Sequence, residues 1–264
     1  VIPLPPNPMS IDAKAVGSLR SRTGVSILEC KKALEEAKGD EEKAIEILRK
    51  KGASAVAKKA ERDQSEGLIF SAVTDSKAAI VRIDCETDFV ARDDNFKNTG
   101  QELADVLLSD GLEKAQAVAE EKIPALVQKL GENISLGEMK LTEAAVSGVY
   151  IHSNGKIGVA IGLSGGSVDL AKDIAMHAAA MNPLYVTPEE VTDEEVEKER
   201  DIWKEQLKNE GKPAEIMDKI MMGKEKKFRE ANALTTQEFV KEPGKLVGEL
   251  LGDSTIVGYV RLAV

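Results

Sequence analysis

A β-hairpin pattern followed by a helix pattern occurs twice in this chain, and this repetition constrains the fold more than any other feature. The first copy has the runs GLIFSAVT and AAIVRIDCET within 67–87, joined at Asp75-Ser76-Lys77 and followed by a helix near 95–109. The second has GVYIHS and KIGVAIGLS, joined at Asn154-Gly155, before a helix at 168–181. Asn-Gly between apolar runs is the strongest short hairpin signal. The sequence therefore predicts an α+β fold of two related core halves with antiparallel sheets.

Further apolar patterns complete both halves. In the first half, the spacing predicts a helix over about 113–130 and a strand over Ile134–Leu141. In the second half, it predicts a terminal helix near 244–251 and a last strand at 255–263.

Residues 10–52 have the pattern of three short helices separated by glycine. Each helix has a residue that favours the N-cap before it and a glycine after it: Ser10 and Gly24, Ser26 and Gly39, and Asp40 and Gly52. Glu29 completes a capping box with Ser26. We therefore expect a three-helix module over 10–53 with a thin core, followed by a basic helical linker over 54–66.

A highly charged segment interrupts the second half. Thr192 and Glu195 have the spacing of a capping box, and Gly211-Lys212-Pro213 is typical of a turn before a new helix. Apolar residues such as Trp203 form only a narrow stripe among the charges. We therefore expect an inserted antiparallel helical hairpin at 192–230 that projects from the second half.

These patterns divide the chain into consecutive parts. The proline-rich Val1–Pro8 precedes Met9 and lacks the charged and long apolar regions of a signal peptide. The expected parts are an extension or cloning remnant at 1–9, the module at 10–53, the linker at 54–66, a first core half at 67–147, and a second core half at 148–264 with its insert at 192–230.

Charge and cysteine content argue against several classes of protein. Acidic residues outnumber basic ones by 46 to 36, giving a formal charge of −10, whereas nucleic-acid-binding proteins usually carry a basic excess or stripe. Cys30 and Cys85 are fewer cysteines than the disulfide framework of a secreted protein usually has, so we expect both to be reduced thiols. No apolar run approaches the roughly 18 residues of a membrane span. We expect a cytoplasmic protein that binds neither nucleic acid nor membranes.

Residues suited to covalent chemistry are few. His177 falls beside the apolar face of a predicted helix, which favours a buried structural histidine over a catalytic base. The nucleophile motif G-x-S-x-G is absent, and the histidines and cysteines lack zinc spacing. Asp93-Asp94-Asn95 lacks the glycine and final glutamate of a calcium loop and indicates a solvated helix start. The sequence predicts neither an enzyme nor a metal or cofactor site.

One glycine-rich segment, Gly162-Leu-Ser-Gly-Gly-Ser167, leaves an alternative open. It follows a predicted strand and precedes a helix, where phosphate-binding loops occur. It lacks the Walker lysine and the G-x-G-x-x-G spacing, and Ser167 is a good N-cap, so a structural turn is favoured. The alternative is a nucleotide-dependent enzyme that uses 162–167.

The segment Glu86-Thr87-Asp88-Phe89-Val90 follows the second predicted strand. Considered alone, it favours a structural interpretation, with Asp88 as a helix cap and Phe89 as a buried hydrophobic residue. The motifs around it point instead to a functional interpretation.

Several motifs, in order along the chain, resemble the elongation factor Ts family. They are VRIDCETDFVARDDNF at 81–96, LGENISL at 130–136, VYIHSNGKIGVAI at 149–161 and KDIAMHAAAMNP at 172–183. The block from Leu19 to Gly52 is similar to the family's ubiquitin-associated-like module. The resemblance covers about residues 10–264, including the helical insert.

The resemblance implies a guanine-nucleotide exchange factor for elongation factor Tu that acts in translation elongation. In this family a loop at the end of a core strand inserts an Asp-Phe pair into the GTPase, disturbs its magnesium and phosphate site, and releases GDP. The matching residues are Asp88 and Phe89, flanked by Thr87 and Val90, and His152 matches a histidine that reaches the same GTPase domain. The resemblance implies no active site or cofactor here and leaves a homodimer of the complex open.

The family's N-terminal contact positions match Arg20, Ile27 and Leu28. The pair Ile27-Leu28 replaces the usual methionines and keeps apolar contact without thioether flexibility. Relatives usually continue past the last strand into a short helix that contacts the GTPase, whereas this sequence ends at Val264, so we expect weaker binding. A second alternative is an adaptor whose three-helix module binds ubiquitin-like partners.

Overall fold

The computed structural model describes residues 11–211 and 213–264. Its helices and two three-stranded sheets confirm the α+β class. The expected extension at 1–9, the expected cap Ser10 and Lys212 of the expected turn lie outside these residues. The chain divides into two compact units: the first holds the described residues up to Phe70, Val81–Met139 and Val264, and the second holds Ser71–Ile80 and Lys140–Ala263.

The described residues form α-helices and β-strands that alternate along the chain without a regular pattern. The helices are α1 (Ala13–Thr23), α2 (Ile27–Glu36), α3 (Glu41–Lys59), α4 (Asp88–Arg92), α5 (Asp94–Asp110), α6 (Leu112–Leu130), α7 (Val168–Met181), α8 (Asp193–Asn209), α9 (Ala214–Asn232) and α10 (Val247–Leu251). The strands are β1 (Glu66–Val73), β2 (Lys77–Cys85), β3 (Ile134–Glu143), β4 (Val146–Ile151), β5 (Ile157–Leu163) and β6 (Ile256–Ala263).

The three N-terminal helices pack around a small core. The N-cap of α1 is Asp12, whose carboxylate accepts a hydrogen bond from the backbone N–H of Lys14. Ser26 and Asp40 cap α2 and α3, as predicted, and Gly24 ends α1 with a φ of +69°. The buried apolar residues are Val16, Leu19, Val25, Cys30, Ala33, Leu34, Ala37, Ala44 and Leu48.

Helix α3 continues through Gly52 to Lys59, so the predicted helix end at Gly52 is wrong. A Cβ atom at Gly52 would lie 3.1 Å from the backbone carbonyl oxygen of Pro124 in α6. The glycine therefore permits the close approach of two helices instead of ending one. Residues 54–59 of the predicted linker belong to α3, and the Lys59 ammonium donates to the carbonyl oxygen of Val127 at 3.4 Å.

The first sheet has the strand order β1-β2-β3. The predicted hairpin between β1 and β2 is present, and the backbone N–H of Thr74 donates to the carbonyl oxygen of Lys77 at 2.8 Å. In the first unit, the fully buried ring of Phe96 in α5 lies 6.1 Å, centroid to centroid, from Phe70 of β1. Gly100, one turn further along α5, faces the Phe70 ring without a side chain between them.

The second sheet is antiparallel, with the order β4-β5-β6. Helix α7 packs on β4 and β5. Gly148 of β4 permits this packing, because a Cβ atom there would lie 2.6 Å from the backbone nitrogen of Lys172 in α7. The core between sheet and helix is aliphatic and includes Val159, Ile161, Leu163, Ala171, Ile174, Ala175 and Ala178.

The predicted hairpin at Asn154-Gly155 is confirmed, but its loop is longer than a two-residue turn. Strand β4 ends at Ile151 and β5 begins at Ile157. The side-chain oxygen of Asn154 accepts a hydrogen bond from the backbone N–H of Lys156 at 3.0 Å and lies 2.9 Å from Nδ1 of His152. These local bonds form a turn, so His152 lies in the loop and not in the strand.

Helices α8 and α9 pack against each other in the second unit. Thr192 and Glu195 form a capping box at the start of α8. Arg229, near the end of α9, pairs with Asp193, the first residue of α8, at 2.8 Å. The two helices therefore run in opposite directions. Pro213 is the cap residue of α9 and not its first helical residue.

Candidate partner-binding site

The T-D-F-V segment forms a short helix soon after the end of β2. Thr87 is the N-cap of α4, and its hydroxyl accepts a hydrogen bond from the backbone N–H of Val90 at 3.4 Å. Thr87 has the extended backbone that a cap requires, so the interpretation of Asp88 as the cap is wrong. Asp88 is the first residue of the helix and pairs with Arg92 at 2.9 Å.

Phe89 is 80% exposed, more than any other large apolar side chain in the part of the chain that the structure describes. The next two residues, Val90 and Ala91, are buried and attach α4 to the first unit. The interpretation of Phe89 as a buried residue is therefore wrong. A large aromatic side chain on a supported turn gains the most from burial when it enters a pocket on a partner.

A carboxylate from the loop between α6 and β3 holds Thr87. Oε2 of Glu132 accepts from the backbone N–H of Thr87 at 3.1 Å, and Oε1 accepts from its hydroxyl at 2.7 Å. The side-chain amide of Asn133 donates to the carbonyl oxygen of Arg62 at 2.8 Å, and its backbone N–H donates to the carboxylate of Glu86. The hydrogen bond from Asn133, with a smaller contribution from the Arg62 guanidinium, lowers the pKa of Glu86.

No role was predicted for Glu132, although it lies within the LGENISL motif. The available signal was a polar Glu-Asn pair after Gly131, which ends α6 with a φ of +83°. Glu132 and Thr87 are 45 residues apart, and no local pattern predicts a contact over that separation.

Cys85, at the end of β2, is not an activated nucleophile. Burial, together with the charge of the nearby Glu132, raises the pKa of its thiol to about 12. The thiol donates to the carbonyl oxygen of Thr87 at 3.3 Å. Because the thiolate is the reactive form, Cys85 is unreactive at neutral pH.

Arg20, Ile27 and Leu28 of the N-terminal helices are exposed. The Ser26 hydroxyl accepts from the backbone N–H of Glu29 at 3.3 Å and so begins α2 at Ile27. Ile27 and Leu28, in the first turn of α2, are 57% and 60% exposed. Two adjacent aliphatic side chains therefore face solvent and could contact a partner.

The predicted site residues fall into separate groups. Thr87, Asp88, Phe89 and Val90 share one segment of the first unit. Arg20, Ile27 and Leu28 lie on the N-terminal helices of the same unit. His152 belongs to the second unit, where it is exposed in the β4–β5 loop.

His177 is a structural histidine, as the sequence favoured. It is fully buried in α7, and its Nδ1 accepts a hydrogen bond from the backbone N–H of Val240 at 3.3 Å. Nε2 therefore carries the proton and donates to the side-chain oxygen of Gln237 at 3.0 Å. These bonds require a neutral imidazole, and burial lowers its pKa.

Lowering the pH should lower the free energy of unfolding, because His177 binds a proton more readily in the unfolded chain than in the folded one. Because its folded pKa lies below the ordinary 6.5, the unfolded chain binds a proton that the folded chain does not. This stability is complete above about pH 6.5 and is lost as the pH falls toward the folded pKa. Urea unfolding between about pH 7.5 and 5.5 should show this loss in the parent and in the matched control His152→Gln, and less of it in His177→Gln. Equal pH slopes in all three proteins would contradict the assignment.

The glycine-rich segment 162–167 is bonded within the second unit. The backbone N–H of Ser164 donates to the carbonyl oxygen of Thr255 at 2.9 Å, and the Ser164 hydroxyl accepts from the backbone N–H of Thr255 at 2.8 Å. Gly166 has a φ of +94°, and Ser167 caps α7 by accepting from the backbone N–H of Leu170. These contacts support the structural turn over a phosphate-binding loop.

Asp93-Asp94-Asn95 begins a helix, as predicted. The Asp93 carboxylate caps α5 by accepting from the backbone N–H of Asn95 at 2.7 Å. Among the described residues, no group of three or more His, Cys, Asp or Glu side chains is placed to hold a metal ion. No helix in that part of the chain is long and apolar enough to cross a membrane.

Comparison with known proteins identifies the family. Residues 86–264 match the family described as Elongation factor TS. Elongation factor Ts of Marinobacter nauticus is 45% identical over 97% of this chain and 91% of its own length. The elongation factor Ts proteins of Hahella chejuensis and Francisella tularensis subsp. novicida are 45% and 42% identical, each over 97% of this chain and 92% of its own length. The chain therefore belongs to the elongation factor Ts family.

Proposed function

We propose that this chain is a guanine-nucleotide exchange factor for elongation factor Tu and acts in translation elongation. Membership of the elongation factor Ts family supports both the partner and the process. The observation that carries the mechanism is the exposure of Phe89 on a short helix that Thr87 caps. Because the backbone beneath Phe89 is already ordered, inserting the ring into a partner costs little conformational entropy.

In this mechanism, Asp88 and Phe89 enter the GTPase beside its magnesium and phosphate site. Phe89 fills an apolar pocket of the GTPase, and the Asp88 carboxylate brings a negative charge toward a site that already holds phosphate charges. Thr87 and Val90 support the pair from the base of α4. The factor binds the nucleotide-free GTPase more tightly than the GDP form, so by reciprocity it weakens GDP binding by the same factor.

The remaining predicted residues provide further contacts with the GTPase. Arg20, Ile27 and Leu28 bind it from the N-terminal helices, and the exposed His152 binds it from the second unit. The proposed organisation is a ubiquitin-associated-like module at 10–53, a linker at 54–66 whose first part continues α3 to Lys59, core halves at 67–147 and 148–264, and a helical hairpin inserted at 192–230. The capped N-terminal helices with their own core, and the pairing of α8 with α9, support this organisation.

The function requires no covalent chemistry and no cofactor on this chain. The formal charge of −10 supports a protein that binds no nucleic acid, and we propose that it works in the cytoplasm without a membrane partner. A homodimer of the complex with elongation factor Tu remains compatible with this function.

Release of labelled GDP from elongation factor Tu tests the proposal directly. Catalytic amounts of the chain should accelerate release in the presence of excess unlabelled GDP. Calorimetric titration of GDP into the chain alone should give no binding heat. A micromolar GDP site on the chain, without accelerated release, would favour the nucleotide-dependent enzyme instead.

Substituting Ile27→Ala and Leu28→Ala together should raise the concentration of factor needed for half-maximal GDP release about tenfold, or about 1.4 kcal/mol. The reason is the loss of apolar area buried against the GTPase. The melting temperature should stay close to that of the parent because both side chains are exposed.

Leu112→Ala, which truncates an exposed leucine at the start of α6, is the matched control for this pair. It should leave the half-maximal concentration unchanged. A double variant that behaves like this control would exclude the Ile27-Leu28 contact and favour an adaptor role for the N-terminal module.

A further inference from the structure

We propose that Glu132 is a positioning residue for nucleotide release, because its carboxylate fixes Thr87 and thereby the direction in which Phe89 is presented. The inference rests on the proposed exchange function and adds to it a residue outside the T-D-F-V segment. Glu132 is partly buried beside the buried Asn133, and it acts through Thr87 without being assigned a contact with the GTPase.

Both oxygens of the Glu132 carboxylate bind the same residue. Oε2 accepts from the backbone N–H of Thr87 at 3.1 Å, and Oε1 accepts from its hydroxyl at 2.7 Å. The same hydroxyl oxygen accepts from the backbone N–H of Val90. Thr87 is therefore fixed at its backbone and its side chain together, and its hydroxyl proton is directed to Glu132.

In this arrangement both oxygens of residue 132 accept hydrogen bonds, and the hydroxyl proton of Thr87 has a carboxylate as its acceptor. An ionised carboxylate is acceptor-only, whereas a glutamine amide has one acceptor and one donor group. In Glu132→Gln, the amide oxygen can accept from the N–H of Thr87 only when the NH₂ group faces the Thr87 hydroxyl. The hydroxyl oxygen must then accept from this NH₂ group as well as from Val90, and the hydroxyl proton loses its carboxylate acceptor. Glutamine has nearly the same shape, so this substitution isolates the loss of one hydrogen bond from any change in packing.

Helix α4 depends on such external support because it has only five residues. Helices this short are not stable by themselves. Val90 and Ala91 attach one face of the helix by burial, and Glu132 fixes the residue from which it starts. Asn133 holds the Glu132 loop to Arg62 and Glu86, so the support is continuous with the segment that follows α3.

A positioning role has its own kinetic signature. The contacts assigned to Ile27, Leu28 and His152 do not involve Glu132, so the factor still forms the complex when Glu132 is changed. The misdirected Phe89 ring then promotes release poorly within that complex. We therefore expect the maximal release rate to fall while the half-saturating concentration of factor stays nearly constant.

The test measures labelled GDP release from elongation factor Tu over a range of factor concentrations. Glu132→Gln should lower the maximal rate about tenfold and change the half-saturating concentration by less than about twofold. Glu120→Gln, which removes one charge at an exposed position of α6, is the matched control and should equal the parent. Thr87→Val should reproduce the loss because valine lacks the hydroxyl. Thr87→Ser should keep most of the parental rate because serine retains the hydroxyl.

Hydrogen exchange of the backbone amides of Thr87 and Val90 gives a second readout in the free protein. Both amides should exchange faster in Glu132→Gln than in the parent, while the thermal unfolding transition stays cooperative. If Glu132→Gln does not fold, the comparison of Thr87→Val with Thr87→Ser decides the question alone.

Phe89→Ala, assayed in parallel, separates failure of this inference from failure of the proposed function. If Phe89→Ala slows release and Glu132→Gln keeps the parental maximal rate, Glu132 does not position the loop, although the exchange function stands. A Glu132→Gln protein that changes only the half-saturating concentration would likewise overturn the positioning role. If neither variant differs from a parent that accelerates release, the insertion mechanism fails and this inference fails with it.

Discussion

Phe89→Ala should slow the stimulated release of GDP by roughly thirtyfold to a thousandfold, while the free protein stays nearly as stable as the parent. Removal of a central aromatic anchor costs about 2–4 kcal/mol, here in the state from which GDP leaves, and about 1.4 kcal/mol corresponds to a factor of ten in rate. The ring is 80% exposed in the free chain, so its removal leaves no cavity in the core. Urea unfolding and labelled GDP release, measured on the same preparation, test both statements.

Phe96→Ala is the matched control for this prediction. Phe96 is seven positions further along and is fully buried against Phe70. Its truncation should cost about 3–5 kcal/mol of stability, as core phenylalanine truncations do. The exchange assignment of Phe89 would be refuted by a Phe89→Ala protein that loses stability as Phe96→Ala does and, while folded, still stimulates GDP release from elongation factor Tu at the parental rate.

Features that depend on local chemistry were predictable from the sequence. Helix α7 spans Val168–Met181, as predicted, because Ser167 caps it and apolar residues recur along one face. The capping residues Ser26 and Asp40 were also identified from the residue type and its place before an apolar run. Such signals require only the few residues on either side.

Features that depend on distant contacts were not predictable in the same way. Gly52 looks like a helix end, and only the approach of Pro124 from α6 explains why a glycine lies inside α3. Likewise, T-D-F-V alone favoured Asp88 as the cap and a buried Phe89, whereas Thr87 is the cap and Phe89 is exposed. The hydrogen bonds from Thr87 to Glu132 join residues 45 positions apart in the sequence, so this contact could be identified only from the three-dimensional structure.

Gly100→Ala should lower the free energy of unfolding by up to about 2 kcal/mol, although alanine is the better helix former. A Cβ atom at Gly100 would lie 2.1 Å from a ring carbon of Phe70. That ring is buried and packs against Phe96, so it cannot move without disturbing the core of the first unit. Overpacking typically costs about 1–3 kcal/mol, and a contact as short as 2.1 Å to a buried ring falls in the upper part of that range. The cost therefore exceeds the gain of about 1 kcal/mol in helix propensity.

Gly223→Ala, within α9, is the matched control because its Cβ atom would meet nothing within 4 Å. There only the helix propensity changes, so stability should rise by about 0.5–1 kcal/mol. Urea unfolding of the two variants should therefore give shifts of opposite sign. The added substitution Phe70→Leu should restore part of the stability of Gly100→Ala, since it removes the atoms that clash, and the two changes should be non-additive. Strictly additive effects, or a stabilised Gly100→Ala protein, would show that α5 does not approach β1 as closely as the contact between Gly100 and Phe70 requires.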